Sequence, residues 1–105
     1  MSKFLLVYSS GNPPANREEG EKIMAAWMGW FGRLGPAIAD GGMPTAHPAR
    51  AISSAGQVSE VNDWLVTGYS ILEAGSLDEA TEMAKSCPHL DSGGTVRVYE
   101  LTPVM

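Results

Sequence analysis

The sequence predicts a small α+β domain, a ferredoxin-like βαββαβ fold with a four-stranded antiparallel sheet and two helices on one face. Three observations predict it. An apolar run opens the chain at residues 4–8, a Trp-rich helical stripe follows, and residues 67–101 show a strand, a capped helix and a second strand. Because crossovers between strands of one sheet are right-handed, both helices should cover the same face. The 105 residues suit one domain, residues 1–105.

The first strand and the first helix are predicted to be extensively buried. Residues 4–8 are continuously apolar rather than alternating, which is typical of a central strand with both faces covered. Asn16 is the expected N-cap of the helix that follows. Met24 and Met28 widen its apolar face, so the helix should be buried over much of its girth. Residues 36–40 are expected to form one more short turn. The apolar stripe of the helix comprises Ile23, Trp27, Trp30, Phe31 and Leu34.

The remaining elements lie in the second half of the chain. Residues 50–53 and 57–61 are predicted to form a polar hairpin at an exposed edge of the sheet. Residues 68–74 read as a strand. Ser76 and Glu79 form a capping box at the start of the second helix, which Pro88 ends. The last strand covers residues 95–101.

The sheet face away from the helices should carry large apolar groups. Alternation places Tyr69 and Ile71 there, together with Tyr99 and Leu101. Burying one such side chain contributes about 1.5–3 kcal/mol. A patch of this size is larger than soluble monomers usually expose. The sequence therefore predicts a homodimer whose two sheets face each other, a dimeric α+β barrel.

Composition and charge restrict the functions that the chain can have. The net charge of −5 argues against binding nucleic acid or anionic membranes, because both require clustered cations. No apolar run approaches the 18 residues of a membrane span. Cys87 is the single cysteine, so no intrachain disulfide forms, and a reducing cytoplasm is the expected setting. No cofactor motif is found. His47 and His89 form no short-spaced pair, so no metal site is predicted.

Four segments of the chain resemble one family of small bacterial proteins. They are AWMGWFGRLG, DGGMP, TGYSILEAGSLDEATEMAKSCPHL and GGTVRVYEL. Together they resemble the YCII-related (DGPF-domain) proteins, and the resemblance is weakest over residues 45–62. It implies a ferredoxin-like monomer and a homodimer with a ligand-sized cleft. Some members of the family are thought to use a His–Asp pair. The chain has no DGPF tetrapeptide and no histidine in the first helix, so that pair is assigned to no residue here.

The two histidines are the first candidates for a site. His89 follows Cys87-Pro88 at the end of the second helix, where it is either a general base at the mouth of a cleft or a cap on the unpaired carbonyls of the helix. His47 lies in the loop sequence HPAR beside Arg50. Those two side chains either bind an anionic substrate or are simply solvated. Cys87 is expected to be a core residue.

Glu73 and several aromatic residues complete the candidate set. Glu73 lies within a central strand, so it either reaches water in a cleft as a base or pairs with Arg97. Tyr8, Trp27, Trp64 and Tyr69 are candidate walls of an aromatic pocket, with a place in the core as the alternative for Trp27 in the helical stripe. Trp64 follows a short polar loop and serves either such a pocket or the dimer contact.

Two functions follow from these residues. The first is a cofactor-free enzyme that transfers a proton, isomerises or eliminates on a small acid inside the dimer cleft. His47, Glu73 or His89 would be the catalytic base, Arg50 or Arg97 the anion anchor, and Tyr8, Trp64 and Tyr69 the substrate-binding walls. The second is a non-catalytic module that binds a metabolite or another protein.

Overall fold

A four-stranded antiparallel sheet, covered on one face by helices, forms the body of the protein. The computed structural model describes residues 1–103. The strands of the sheet follow the order β2-β5-β1-β6, which is the predicted ferredoxin-like order. The elements are β1 (Ser2–Ser10), α1 (Arg17–Leu34), β2 (Ile38–Asp40), β3 (Arg50–Ile52), β4 (Val58–Glu60), β5 (Val66–Ala74), α2 (Leu77–Ala84), α3 (Pro88–Asp91) and β6 (Gly94–Leu101).

β1 is central, as predicted, and it pairs with β5 on one side and β6 on the other. Its burial alternates, however. Phe4 and Leu6 are fully buried beneath the helices, whereas Leu5 and Val7 on the opposite face are only half-buried. Within one chain only the helix-side face is fully covered, and the cover of the outer face stays a prediction that depends on the homodimer. The continuous apolar run gives the strand one core face and one apolar outer face.

α1 begins and ends where its caps place it. The Asn16 side chain accepts a hydrogen bond of 2.8 Å from the backbone N–H of Glu19, which satisfies one unpaired donor of the first turn. Trp30 is fully buried against the sheet and anchors the helix. Met24 and Met28 are 65% and 67% exposed, so the predicted broad burial of this helix is wrong. Only one stripe of α1 meets the sheet.

The second strand of the main sheet lies where a turn was expected. A short 3-10 turn at Gly35–Ala37 leads directly into β2, and Ile38 pairs with Leu72 of β5. The predicted hairpin does form, with β3 paired to β4, but it is a separate two-stranded sheet rather than an edge of the main one. β2 thus occupies the position beside β5 that the hairpin was expected to take.

The C-terminal half follows the prediction closely. The Ser76 hydroxyl caps α2 by accepting a hydrogen bond of 3.1 Å from the N–H of Glu79. Ala80 and Ala84 pack α2 on the same sheet face as α1. α2 ends at Ala84, and Pro88 begins the separate short helix α3. Within residues 1–103 no helix combines the length and the apolarity needed to cross a bilayer.

The sheet face opposite the helices, here called the open face, is arranged in rows. The register places Val7 between Tyr69 and Arg97, and it places Leu5 between Ile71 and Tyr99. Tyr99 and Leu101 are 45% and 38% exposed. The predicted alternation of these strands is therefore confirmed. The open face comprises Lys3, Leu5, Val7, Tyr69, Ile71, Glu73, Arg97, Tyr99 and Leu101.

Candidate functional site

A cavity of about 320 Å³ lies on the helix side of the sheet, between α1 and the beginning of β5. The α1 side chains that line it include Trp27 and Phe31. Residues 67–70 of β5 and residues 41–44, which follow β2, form the opposite wall. His89 of α3 completes it. Such concave, largely apolar sites with a few polar groups are the usual shape of small-molecule sites.

Aromatic rings form the inner wall of the cavity. Trp27 and Phe31 are one helical turn apart, and their ring centroids lie 5.7 Å apart. The Tyr8 ring of β1 meets Trp27 edge to face, with the centroids separated by 5.1 Å. Edge-to-face pairs of this kind are favourable beyond the area that they bury. The three rings therefore form a rigid wall against which a flat ligand can pack.

A chain of hydroxyl groups satisfies the polar atoms beneath this wall. The Tyr8 hydroxyl donates to Ser70 Oγ at 2.7 Å, and Ser70 Oγ donates to the carbonyl oxygen of Gly41 at 2.8 Å. Burial raises the pKa of Tyr8 well above its ordinary value of 10.0. Tyr8 therefore stays a protonated phenol at neutral pH and cannot serve as the base.

His89 is held in one orientation by the end of β1. Its Nε2 atom lies 2.8 Å from the backbone oxygen of Ser9. A carbonyl oxygen can only accept, so Nε2 carries the proton of the neutral ring. The other nitrogen, Nδ1, is then the one that accepts a proton. The His89 ring also lies 5.5 Å from the Tyr8 ring, between centroids.

Two glycines make room for the His89 ring. A Cβ atom on Gly94 would overlap the imidazole, and one on Gly11 would lie 2.9 Å from its Cε1. Gly11 also has a φ of +92°, which favours glycine. Gly94 therefore has a packing role at the start of β6.

Cys87 lies beside this site but is chemically quiet. It is 1% exposed, which confirms the prediction that it is a core residue. Burial raises the pKa of its thiol from 9.0 to about 11. Because the thiolate is the nucleophilic form, Cys87 is unreactive at neutral pH.

The structure brings three of the predicted site residues together and separates the others from them. Tyr8, Tyr69 and His89 all border the cavity, although the alternation of β5 turns the Tyr69 side chain towards the open face. The alternative interpretation of His89 as a cap on the second helix is wrong, because α2 ends at Ala84 and the ring turns to Ser9 instead. The imidazole therefore does not cap the carbonyl groups of α2.

The remaining candidates lie elsewhere in the chain. His47 is exposed beside the hairpin, and Arg50 of β3 lies 3.9 Å from Glu60 of β4. The Arg97 guanidinium stacks on the Trp64 ring at 3.5 Å from its centroid. Glu73 and Arg97 form no ion pair within residues 1–103, because the register sets them in rows at opposite ends of the open face.

No group of three metal-ligating side chains occurs among residues 1–103. The cavity lining carries no carboxylate or cationic side chain. Its lining therefore offers the imidazole of His89, four hydroxyl-bearing residues and apolar contacts; the hydroxyl-bearing residues are Tyr8, Thr67, Tyr69 and Ser70.

Several residues that line or shape the cavity were not among the site residues predicted from the sequence. Trp27, for which pocket wall and core residue were alternatives, both packs on the core and lines the cavity, and Phe31 was expected only in the apolar stripe. Ser70 is the polar member of a buried face that continues with Leu72 and Ala74. A buried hydroxyl between apolar neighbours is the signal that could have marked it. Nothing local to residues 41–44 indicates that they approach β5.

Comparison with known proteins supports the fold. No protein-family model matches the chain, and no curated protein matches it. A solved structure of 5-chloro-2-hydroxyhydroquinone dehydrochlorinase (TftG) from Burkholderia phenoliruptrix, in complex with 2,5-dihydroxybenzoquinone, is similar with a TM-score of 0.57 and 19% identity. The match covers 94% of this chain and 93% of that one.

A protein of Arabidopsis thaliana gives a weaker similarity, with a TM-score of 0.42 and 14% identity over 100% of this chain and 97% of that one. That likeness is too slight to carry an argument. The similarity to TftG confirms the predicted fold class, a small α+β protein with a four-stranded antiparallel sheet and helices, and it is consistent with the dimeric α+β-barrel arrangement.

Proposed function

We propose that the protein is a small-molecule enzyme that transfers a proton in this cavity and uses no cofactor. The observation that carries the proposal is the position of His89, which lines an aromatic cavity and is fixed through Nε2 to the Ser9 carbonyl. Fixing one nitrogen as a donor leaves Nδ1 as the proton acceptor. Imidazole is the side chain most often used for proton transfer near neutral pH.

The substrate that fits is a compact, neutral ring compound with hydroxyl or carbonyl oxygens. No charged side chain lines the cavity, so the single chain offers no counter-ion for a carboxylate or a phosphate. A volume of about 320 Å³ lies at the small end of ligand sites. The aromatic wall of Tyr8, Trp27 and Phe31 favours a flat molecule. Within the chain, Arg50 and Arg97 do not act as anion anchors for this cavity.

The proposed reaction is an isomerisation or an elimination. His89 Nδ1 removes a proton from the substrate. In an isomerisation His89, after exchanging its proton with solvent, delivers a proton to another atom of the ring. In an elimination the electron pair of the broken bond to hydrogen stays on the substrate and expels a leaving group such as a halide. TftG, whose name specifies a hydroquinone dehydrochlorinase, shares the fold, and this supports a hydroxylated one-ring substrate.

A probe with exchangeable ring hydrogens tests the proposal. For 1,2,4-trihydroxybenzene in D₂O, we expect the wild type to incorporate deuterium at ring carbon, measured by NMR. His89→Gln should slow that exchange by about 10²–10⁴-fold, the usual contribution of one placed base. His47→Gln is the matched control, because His47 is the other histidine and is exposed outside the cavity. Equal rates for His89→Gln and the wild type would contradict the proposal.

A second function, a non-catalytic binding module, is favoured by one specific observation. Tyr8 and Ser70 already satisfy each other and the Gly41 carbonyl, and the alternation of β5 turns the Tyr69 side chain to the open face. Among residues 1–103, His89 is therefore the titratable side chain in the cavity that remains to do chemistry. If calorimetry shows that 1,2,4-trihydroxybenzene binds without any catalysed exchange, the binding module is the correct function.

The open face supports the proposal that the protein is a homodimer. It presents Leu5, Val7 and Ile71 half-buried in the single chain, with Tyr99 and Leu101 more exposed. A continuous apolar patch of this kind is typical of an interaction surface. A second copy would bury the same patch on both partners.

Membership of the YCII-related family and a cytoplasmic location belong to the same proposal. The resemblance of the segments quoted above and the shared fold with TftG support the family. The single, buried Cys87 suits a reducing compartment.

A further inference from the structure

Two methionines lie at the outer end of the cavity, one on each wall. Met24 belongs to α1, and Met43 follows β2 in the wall formed by residues 41–44. Both residues line the cavity, and they are 65% and 69% exposed. On the inner wall, by contrast, Tyr8 is 5% exposed. Met24 and Met43 therefore lie where the cavity meets solvent, and the two residues are here called the mouth.

The backbone on either side of Met43 is held against β5. Pro44 forms an antiparallel bridge with Gly68. Gly42 has a φ of +79°, and a Cβ atom there would overlap the carbonyl oxygen of Tyr69. Because glycine alone permits this conformation and this close approach, the segment lies directly on the strand. Met43 is thus carried by a fixed backbone, although its side chain is exposed.

Met24 is attached to an equally fixed backbone. It lies in α1 one turn before Trp27 of the inner wall, and the fully buried Trp30 anchors this helix on the sheet. A methionine side chain has three rotatable bonds and a polarisable sulfur, so it adapts its shape to the group that it contacts. The mouth therefore consists of two fixed attachment points that carry flexible apolar side chains.

The chemistry of the mouth suits an apolar group. A thioether sulfur is only a weak hydrogen-bond acceptor. A hydroxyl or charged group placed between Met24 and Met43 would lose its water without a partner of equal strength from either side chain. A methyl group or a halogen loses no hydrogen bond there, and it lets both side chains withdraw from solvent. Contact between a methionine sulfur and the edge of an aromatic ring is favourable as well.

We infer that Met24 and Met43 determine specificity by closing over a bound ring, and that they select substrates with a small apolar substituent, such as a methyl group or a halogen, at the solvent end of the ring. This inference rests on the proposed function, because it takes the substrate to be a flat ring held against the aromatic wall. It adds the substituent by which the cavity distinguishes one such ring from another.

Calorimetric titration with hydroquinone and methylhydroquinone, both kept free of oxygen, tests the inference. The wild type should bind methylhydroquinone about fourfold more tightly, which is the effect of burying one methyl group. The double variant Met24→Ala, Met43→Ala should bind the two compounds equally. Met28→Ala is the matched control, because Met28 is 67% exposed one turn further along α1 and, among residues 1–103, lies outside the cavity lining. It should keep the fourfold preference.

NMR of ¹³C-labelled methionine methyl groups gives a second readout on the wild-type protein. The chain contains six methionines. The methyl signals of Met24 and Met43 should shift in a saturable way during titration with methylhydroquinone, whereas the signal of Met28 should not shift.

The outcomes separate this inference from the proposed enzyme. Equal wild-type affinities for the two hydroquinones, or saturable binding that leaves the Met24 and Met43 signals unmoved, would overturn the inference without affecting proton transfer at His89. A fourfold preference that is lost only in the double variant would support the inference, even if His89→Gln exchanged ring hydrogens at the wild-type rate and so contradicted the proposed reaction. Binding of neither compound would overturn the inference together with the proposed ring substrate.

Discussion

The two faces of the central sheet differ in burial, although neighbouring residues of the same strands supply both of them. On the helix side, Phe4, Leu6 and Leu72 are fully buried. On the open side, Leu5 and Ile71 are similarly apolar but remain half-exposed. Because side chains alternate along a strand, both faces come from one uninterrupted apolar run. Apolar composition alone therefore does not tell which face forms the core of a single chain.

The difference also separates the chemistry from the proposed assembly. The helix side contains the cavity, the fixed imidazole of His89 and the hydroxyl chain from Tyr8. The open side contains the Trp64–Arg97 stack and large apolar side chains. The variants below act on the helix side, and Leu72→Ala and Gly94→Ala each have a control on the open side or at an uncrowded position.

The largest expected effect comes from truncating adjacent residues of β5. Leu72→Ala removes a fully buried side chain and should lower the free energy of unfolding by about 2–5 kcal/mol. Ile71→Ala, on the open side, should cost less than about 1 kcal/mol in dilute solution. Urea denaturation measures both. Equal losses at nanomolar concentration would mean that the open face is covered within one chain.

Varying the protein concentration gives a second test of the comparison between Ile71→Ala and Leu72→Ala. If a second copy covers the open face, the cost of Ile71→Ala should grow at micromolar concentration, because stability then includes association. The cost of Leu72→Ala should not depend on concentration in the same way.

The next effect is a loss of stability in alkali. The pKa of Cys87 is raised by burial from 9.0 in the unfolded chain to about 11 in the folded one. The folded state therefore holds its proton more tightly, and the contribution is complete below pH 9 and is lost as the pH rises towards 11. The loss should be on the order of 2 kcal/mol. Cys87→Ala should lower stability overall but flatten its dependence between pH 9 and 11. The same slope in both proteins would contradict the assignment.

The smallest of these effects is expected from two glycine substitutions. Gly94→Ala places a Cβ on the His89 ring and should weaken the binding of 1,2,4-trihydroxybenzene about tenfold, or about 1.4 kcal/mol. Gly32→Ala, in α1, meets no atom within 4 Å and should stabilise the fold by about 1 kcal/mol without changing binding. Calorimetric titration and thermal unfolding check the pair. An unchanged affinity of Gly94→Ala for 1,2,4-trihydroxybenzene would contradict the expectation that binding depends on the position of the His89 ring.

Much of the fold follows from local signals in the sequence. Asn16 and Ser76 are found as caps, and the alternation of β5 and β6 is confirmed. β2 was missed because three residues are too few to show a period, and pairing with β5 rather than propensity decides their conformation. Met24 and Met28 were expected to be buried because an apolar stripe on a helix does not show how much of the helix surface contacts the sheet.

The site was less predictable because it depends on long-range approach. Tyr8 and Ser70, whose hydroxyls form one hydrogen bond, are 62 residues apart, and His89 and Ser9 are 80 apart. No spacing rule joins such pairs. Tyr8, Tyr69 and His89 were selected one by one for their chemistry, and only the fold shows that they share a cavity that His47 does not enter.

The most direct test of the account is NMR of the two histidine rings during titration with 1,2,4-trihydroxybenzene. The chain contains only His47 and His89, so two sets of ring signals are expected. We expect the ring signals of His89 to shift in a saturable way with ligand concentration, while the ring signals of His47 do not shift. Saturable binding that shifts the His47 signals, or that leaves those of His89 unmoved, would contradict it.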